Sequence, residues 1–316
     1  MTDTRETDPS DSSDQLEPWR KGVTIGIPLF NEAPFIEAAI RSAAPQCETL
    51  LVADNCSTDG SVEICNALAA EYSNLVFINH GSNQGATSNF RFVMDRADSP
   101  YFMWLGGHDW IPTDYVRLLR RVLDSDPLAT LAFGDVAHMS CAGKEVSRYQ
   151  YFFSDGLAQE HSVDRFLCIV KFLHDCSLIH GLARTASLKS VWEEMNFLGG
   201  DHVLLAKLVL AGKFLYVPNT FLFRRDVHAT YSPQSQLERI TGTTQTRKVV
   251  TYERMQNTLY ALAVEKFEGQ GRLWRYDLLN VRFWLVSRFG PFCEGINGKL
   301  IDRVLYQWAR LIRAIY

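Results

Sequence analysis

The chain has 316 residues, of which 47% are hydrophobic, and this is enough to bury the core of one large domain. A formal net charge of -4 gives no overall basic field, which excludes a general nucleic-acid-binding role. The seven cysteines are odd in number and form no CxxC pair, which argues against a disulfide framework and a structural zinc site and favours a reducing, cytoplasmic environment. We find neither an 18-residue apolar run nor a signal-peptide core, so we expect a protein that is not membrane-spanning and not exported by that route.

Residues 1–21 are rich in Asp, Glu, Ser and Thr and hold few apolar side chains. Such a segment buries too little surface to offset its loss of conformational entropy. We therefore predict a disordered acidic tail over residues 1–21.

Strands and helices alternate from residue 23 to residue 135. Apolar runs predict strands at 23–29, 49–54, 75–79, 101–105 and 128–135, and helical patterning lies between them at 33–44, 61–72, 86–97 and 113–123. Strand-helix repeats of this length imply parallel strands joined by right-handed crossovers. The predicted fold class is α/β, with a doubly wound, mostly parallel sheet.

Polar residues follow the end of each predicted strand in this half. The candidate residues are Pro28, Asn31 and Glu32 at the end of the first strand, Asp54 at the end of the second, Asn83 and Gly85 after the third, and His108 and Asp109 after the fourth. Open α/β sheets bind ligands at the carboxyl ends of their strands, so we predict a ligand site at this edge. Two alternatives stay open: Asp59 serves as a cap or turn residue, and the glycine-rich turn at 79–90 contacts no ligand.

The segments IPLFNE, VADNCSTDGS, NQGATSNF and GGHD, in that order, resemble the family 2 glycosyltransferases of the GT-A fold. The resemblance covers residues 23–228. It implies a GT-A domain over 22–244, with a nucleotide-binding half at 22–135 and an acceptor half at 136–244. Helical patterning predicts a C-terminal appendage at 245–316.

The resemblance also implies roles for single residues. Pro28, Asn31, Glu32 and Asp54 would border the nucleotide, Arg225 would face the diphosphate beside Arg224, and Asp201 would be the catalytic base. His108, Asp109 and His228 would hold Mg²⁺ or Mn²⁺. Two alternatives remain: Asp201 caps the helix that follows it, and the arginines belong to a basic loop without a ligand.

The GGHD loop departs from the family pattern, which is usually Asp-x-Asp or Asp-Asp. Imidazole suits Mn²⁺ better than Mg²⁺, which prefers oxygen ligands. The loop therefore leaves open a preference for Mn²⁺, weak metal binding, or loss of activity. Aligning the loop on Pro112 instead of Asp114 would shift the assignment of His108 by one position.

The predicted function is an inverting glycosyltransferase, a hexosyl- or related transferase, that moves a sugar from a nucleotide-diphosphate donor to an acceptor hydroxyl. The expected setting is cell-surface polysaccharide or glycolipid assembly, with a glycan or lipid-linked acceptor. Two alternatives are a metal-independent or inactive nucleotide-sugar-binding protein and a nucleotidyltransferase. The second is disfavoured because no glycine-rich loop with a basic residue follows the first strand.

The C-terminal part has helical patterning at 246–268, 272–289 and 298–316. Residues 272–316 carry a local charge of +5 and interleaved aromatic side chains. One interpretation is a set of helices packed on the catalytic half. The other is a surface that docks on anionic lipid and places the protein peripherally at the inner face of the membrane.

Overall fold

The first four predicted strands lie side by side as parallel strands in a computed structural model. The structure describes residues 17–173, 175–194, 196–227, 233–242 and 253–267. In chain order the first elements are β1 (Val23–Leu29), α1 (Ile36–Ala43), β2 (Thr49–Asp54), α2 (Ser61–Glu71), β3 (Leu75–Asn79), α3 (Ala86–Asp95) and β4 (Tyr101–Trp104). Their strands lie in the order β3-β2-β1-β4, which confirms the parallel arrangement predicted from the strand-helix repeats.

The second half extends the same sheet with strands of both directions. Its elements are α4 (Tyr115–Ser125), β5 (Ala129–Met139), β6 (Glu145–Tyr149), α5 (Ser154–Leu157), α6 (Ser162–Phe172), β7 (Leu182–Arg184), α7 (Thr185–Val191), α8 (Gly200–Ala211), β8 (Lys213–Arg225), α9 (Pro233–Thr241) and α10 (Glu253–Phe267). The order continues as β4-β7-β5-β6, and β8 also pairs with β5. β7 is antiparallel to β4 and β5, β6 is antiparallel to β5, and β8 is parallel to β5, so the described sheet is mostly parallel.

Strand β5 is longer than the predicted strand because β8 pairs along most of its length, with His138 opposite Arg224. The carboxylate of Asp135 reinforces this pairing, since it accepts hydrogen bonds from the Tyr216 hydroxyl at 2.5 Å and from the Asn219 backbone at 3.0 Å. β5 and β6 form an antiparallel hairpin.

Helices cover both faces of the sheet, as a doubly wound fold requires. In β4, Met103 faces the hydrophobic cluster that contains α1 and α4, whereas Phe102 and Trp104 face the cluster that contains α3, α6 and α8. This alternation follows from the two-residue period of a strand, and all three side chains are buried.

The end of the predicted acidic tail is ordered, which corrects the prediction for residues 17–21. The Arg20 guanidinium donates to the carbonyls of Ala44 and Cys47 at 3.3 Å each, and Arg120 donates to the carbonyl of Trp19. These contacts hold the segment against the start of the sheet. Residues 1–16 lie outside the described part of the chain.

Helix α10 confirms part of the predicted helix at 246–268. Its residues Met255, Leu259, Ala263 and Phe267 recur every four positions and are buried in the cluster that contains α8. The Phe267 ring lies 5.3 Å from that of Phe166.

The charged aromatic segment 272–316 lies outside the described residues, so both interpretations of it stay predictions. Among the helices that the structure describes, none is long and apolar enough to cross a bilayer.

Candidate functional site

The loops after β1 and β2 form one rigid rim at the carboxyl edge of the sheet. Asn31 adopts a left-handed conformation (φ 54°), its N–H donates to Ser57 Oγ at 2.8 Å, and its Oδ1 accepts from the Thr58 N–H at 2.9 Å. The Asp59 carboxylate accepts from the backbone N–H of Ala33 at 2.9 Å. Asp59 is therefore a turn residue that joins the loops. Pro28, within β1, pairs with Ala53 and is half-buried.

Asp54 ends β2 at the centre of this rim, and none of its surface is exposed (0%). Its Oδ2 accepts from the Ser57 N–H at 3.0 Å, whereas Oδ1 has no hydrogen-bond partner among the described residues. A buried carboxylate oxygen is costly to leave unpaired, and such groups are typical of functional positions. The structure thus places Asp54 where the sequence predicts it, with one oxygen free to accept.

The turn after β3 is tied to the rim through Asn55. The Asn55 Nδ2 donates to Asn83 Oδ1 at 2.9 Å, and Asn55 Oδ1 accepts from the Gln84 N–H at 2.8 Å. Buried Asn89 of α3, which sequence analysis did not single out, donates to the Ala53 carbonyl at 2.8 Å. These amides hold the ends of β2 and β3 in position, and Asn83 itself remains exposed at the edge.

Position 85 requires glycine because the backbone at the end of α9 comes very close to it. It has φ 82°, and a Cβ there would lie 2.6 Å from the carbonyl carbon of Thr241 and 2.8 Å from the nitrogen of Gly242, at the end of α9. Protein backbone at the end of α9 thus lies against Gly85, which the sequence places in the predicted ligand site.

We expect Gly85→Ala to lower the free energy of unfolding by about 1–3 kcal/mol, the range for a residue forced into an unfavourable backbone region. Gly81→Ala is the matched control, since nothing lies within 4 Å of a Cβ at Gly81. Urea unfolding of both variants measures the difference. Equal stability of the two would show that the α9 contact imposes no constraint on Gly85.

The loop after β4 brings Glu32 and His108 together. His108 Nδ1 lies 2.7 Å from Glu32 Oε1, and a Cβ on Gly107 would meet Glu32 Oε2 at 2.1 Å. Gly107 thus makes room for the carboxylate. Burial lowers the pKa of His108, but the Glu32 and Asp109 carboxylates outweigh it and raise that pKa above its usual value.

The end of β8 holds Asp109, which is 1% exposed. Asp109 Oδ1 accepts from the Arg225 N–H at 2.9 Å, and Arg225 Nη1 donates to the His108 carbonyl at 2.7 Å. The Arg225 guanidinium lies 4.3 Å from the Trp110 ring centroid, and Trp110 stacks on Phe223 at 5.1 Å. The predicted residues His108, Asp109 and Arg225 are therefore brought together.

The loop after β4 presents donor atoms of the kinds that divalent cations bind. Asp109 Oδ2 and Glu32 Oε2 are buried oxygens with no hydrogen-bond partner among the described residues, and His108 Nε2 lies 3.7 Å from Asp109 Oδ1. Oxygen and imidazole together suit Mn²⁺. The third predicted ligand, His228, lies outside the described residues.

A charged network that sequence analysis missed lies beside Arg225. Arg224 Nη1 donates to Asp175 Oδ1 at 2.7 Å and to Ser177 Oγ at 2.8 Å, and His138 Nε2 lies 3.2 Å from Asp175 Oδ2. Burial raises the pKa of Asp175, but hydrogen bonding to His138 and the charge of Arg224 hold it well below its usual range. The Arg224 guanidinium is thereby fixed next to the Asp109 loop.

Asp201 lies in the first turn of α8 and is not the cap of that helix. The cap position is Gly199 (φ 81°), and no side chain caps the helix there. The Asp201 side chain is 45% exposed, and its Oδ1 accepts from the His202 N–H at 2.9 Å. Desolvation raises the pKa of Asp201, but the hydrogen bond and charge of His202 lower it below its usual value overall. The carboxylate is thus unprotonated near neutral pH, as a general base must be.

Asp201 is joined to the rest of the site through Cys176. The Cys176 sulfur lies 2.9 Å from His202 Nδ1, and Cys176 directly follows Asp175, the partner of Arg224. A series of contacts between side chains or adjacent residues therefore connects Glu32, the Asp109 loop, Arg224 and Asp201 in that order. We call this series the line of contacts.

The sequence model of glycosyl transferase family 2 matches residues 24–173. The succinoglycan biosynthesis protein ExoA of Rhizobium meliloti (strain 1021) is 34% identical over 137 residues, which are 42% of this chain and 40% of the relative. The chain thus spans less than half the length of that relative.

Solved structures of S. aureus TarS share the fold. TarS 1-349 has a TM-score of 0.59 at 15% identity, covering 90% of this chain and 77% of TarS 1-349. The same fragment in complex with UDP-GlcNAc has a TM-score of 0.58 at 16% identity, covering 87% and 76%. The described sheet, with its helices on both faces, has the GT-A fold of these structures, and residues 24–173 match the model of glycosyl transferase family 2.

Proposed function

We propose that the protein is an inverting glycosyltransferase that moves a sugar from a nucleotide-diphosphate donor to an acceptor hydroxyl. The observation that carries this proposal is the line of contacts from Glu32 to Asp201 at the carboxyl edge of the sheet. One end presents buried acidic oxygens and arginines, as binding and departure of a charged diphosphate require. The other end presents an ionised carboxylate, as attack by a hydroxyl requires.

The donor half is formed by the rim around Asp54. Its unpaired Oδ1 is positioned to accept a hydrogen bond from the base or ribose of the nucleotide. TarS 1-349 has been solved with UDP-GlcNAc and with UDP, so uridine-diphosphate sugars are the first donors to test. Pro28, Asn31, Glu32 and Asn83 would border the same nucleotide.

The diphosphate lies, in this proposal, between the Asp109 loop and the end of β8. Asp175 and Ser177 fix the guanidinium of Arg224, and the Trp110 ring and the His108 carbonyl fix that of Arg225. Cations held in place before the reaction stabilise a leaving diphosphate without reorganising. His108 and Asp109 would hold Mn²⁺ or Mg²⁺, which would neutralise charge on the diphosphate when bound.

Asp201 would accept the proton of the acceptor hydroxyl as its oxygen attacks the sugar. A single displacement of this kind inverts the configuration at the reacting carbon. The half-exposed position of Asp201 leaves room for an acceptor beside it. The name of the relative ExoA supports an acceptor in polysaccharide assembly, and a lipid-linked acceptor would bring the protein to a membrane surface.

The test of this function is release of nucleoside diphosphate that depends on both donor and acceptor. A nucleotidyltransferase would instead release pyrophosphate from a nucleoside triphosphate and a sugar phosphate, and an inactive binding protein would bind the donor without turnover. Screening UDP-, GDP-, dTDP- and CDP-sugars, and the corresponding nucleoside triphosphates with a sugar phosphate, with and without Mn²⁺ separates the three outcomes. No binding of any nucleotide sugar would contradict the proposal.

We expect Asp54→Asn to weaken donor binding by about 1.5–3 kcal/mol, the range for a hydrogen bond to a charged group. The amide oxygen can still accept from the Ser57 N–H, so the loop should stay in place. Asp98→Asn, an exposed carboxylate remote from the rim, is the control. Isothermal titration calorimetry measures the difference, and equal affinity in both variants would remove Asp54 from the donor site.

A further inference from the structure

Cys176, Asp201 and His202 bring three metal-ligating atoms within 4.8 Å of one another. Cys176 begins the 3-10 turn Cys176–His180, whereas Asp201 and His202 lie in the first turn of α8. His202 Nδ1 lies 2.9 Å from the Cys176 sulfur and 3.5 Å from Asp201 Oδ1. Asp201 is exposed and the other two are half-buried, so an ion can enter from solvent.

The His202 ring is oriented as in a metal site. Its Nε2 lies 3.2 Å from the Leu173 carbonyl. A carbonyl oxygen only accepts, so Nε2 carries the proton and donates it. In the neutral ring the lone pair of Nδ1 faces the Cys176 sulfur and the Asp201 carboxylate, so a metal ion would replace any proton held at Nδ1. Metal-binding histidines in proteins commonly donate their second ring N–H to a carbonyl in this manner.

The three donor atoms define the class of ion. A thiolate is a soft ligand that selects zinc-like ions over Mg²⁺, Ca²⁺ and Mn²⁺, and imidazole and carboxylate are common partners of sulfur around zinc. We propose that Cys176, Asp201 and His202 form a binding site for a zinc-class divalent cation with three protein ligands. Binding releases the Cys176 thiol proton to solvent, because only the thiolate is a ligand.

The consequence for activity rests on the proposed function. A cation on the Asp201 carboxylate occupies the lone pairs that would take the acceptor proton, so zinc stops transfer. This site and the His108-Asp109 loop differ in ligand chemistry, because only this one contains sulfur. Only the Asp201 site can therefore give a thiolate–metal signal, which separates it from the donor side, where Mn²⁺ would serve.

Cobalt is the probe, because a thiolate bound to Co²⁺ adds a charge-transfer band in the near ultraviolet. Titration of the full chain should produce this band in the wild type and in Cys141→Ser, which removes an exposed thiol outside the cluster. Cys176→Ser should abolish the band. His202→Ala should lower Co²⁺ affinity by more than the roughly 10- to 100-fold typical of outer-shell changes. A band retained in Cys176→Ser would overturn the proposal.

A second measurement needs no substitution. Zinc should slow alkylation of Cys176 in the wild-type protein, followed by mass spectrometry, and leave Cys141 unaffected. An equal rate of Cys176 alkylation with and without zinc would overturn the proposed metal site.

Transfer by the wild type should also fall with added zinc, expressed as the ratio of rates with and without the ion. Full transfer by zinc-free Asp201→Asn would refute the base assignment and leave the cobalt band as evidence for the metal site.

Discussion

Asp201→Asn is expected to lower kcat for sugar transfer by about 10²- to 10⁴-fold, the contribution typical of a general base. The amide oxygen can still accept from the His202 N–H, so the start of α8 keeps its shape. Donor affinity should not change, because Asp201 lies at the acceptor end of the site. Steady-state kinetics with a saturating donor, together with donor titration, measure the two effects separately.

Glu194→Gln is the matched control for this variant. Glu194 is an exposed carboxylate shortly before α8 and hydrogen-bonds only to neighbouring Asn196 among the contacts described. It should transfer sugar at the wild-type rate. Transfer by Asp201→Asn at the same rate as Glu194→Gln would refute Asp201 as the base and leave α8 without a catalytic role.

Asp109→Asn should lower kcat/KM by about 10²- to 10³-fold, the usual effect of removing one electrostatic contributor to a transition state. The substitution keeps an oxygen that can accept from the Arg225 N–H, so the end of β8 should remain in place. It removes the negative charge that would hold a cation on the diphosphate. Unlike Asp201→Asn, it should therefore weaken metal-dependent binding of the nucleoside diphosphate as well as turnover.

Asp114→Asn serves as the control for Asp109→Asn. Asp114 lies five residues further along, is half-exposed and pairs with Arg117 at 3.3 Å, away from the cluster around Asp109. Calorimetry of UDP binding with and without Mn²⁺ should match the wild type for Asp114→Asn. If Asp109→Asn showed the same Mn²⁺ dependence as this control, the loop would not be the metal site.

The sequence alone predicts a ligand-binding edge because that edge follows a local rule. Asp54 ends an apolar strand, His108 and Asp109 lie in the loop after another, and parallel strands bring such ends together. The structure confirms that these ends share one edge. The same reasoning from local sequence fails for residues 17–21. The Arg20 side chain donates to the carbonyls of Ala44 and Cys47, and no pattern within residues 1–21 indicates these contacts.

The network of His138, Asp175 and Arg224 could not be predicted in the same way. Arg224 and Asp175 are 49 residues apart, and they meet only because β8 pairs with β5 in a register that places Arg224 beside His138. The cluster of Cys176, Asp201 and His202 also joins residues that are far apart in the sequence, so motif spacing does not predict it. The absence of a CxxC pair argues against a local zinc site, but Cys176 and His202 are brought together by the contact between a turn and a helix start.

The hydrogen bond from the Arg225 backbone to Asp109 spans 116 residues of sequence. Contacts this distant close late in folding, because a long loop must lose its freedom before the contact forms. On the ribosome, the first four strands emerge and can pair well before β8 is made. A nascent chain can therefore form the rim around Asp54 before the Asp109 loop is bound to β8, and under the proposed function diphosphate binding would wait for the last strand of the described sheet. Unfinished copies of the chain would then not consume sugar donors.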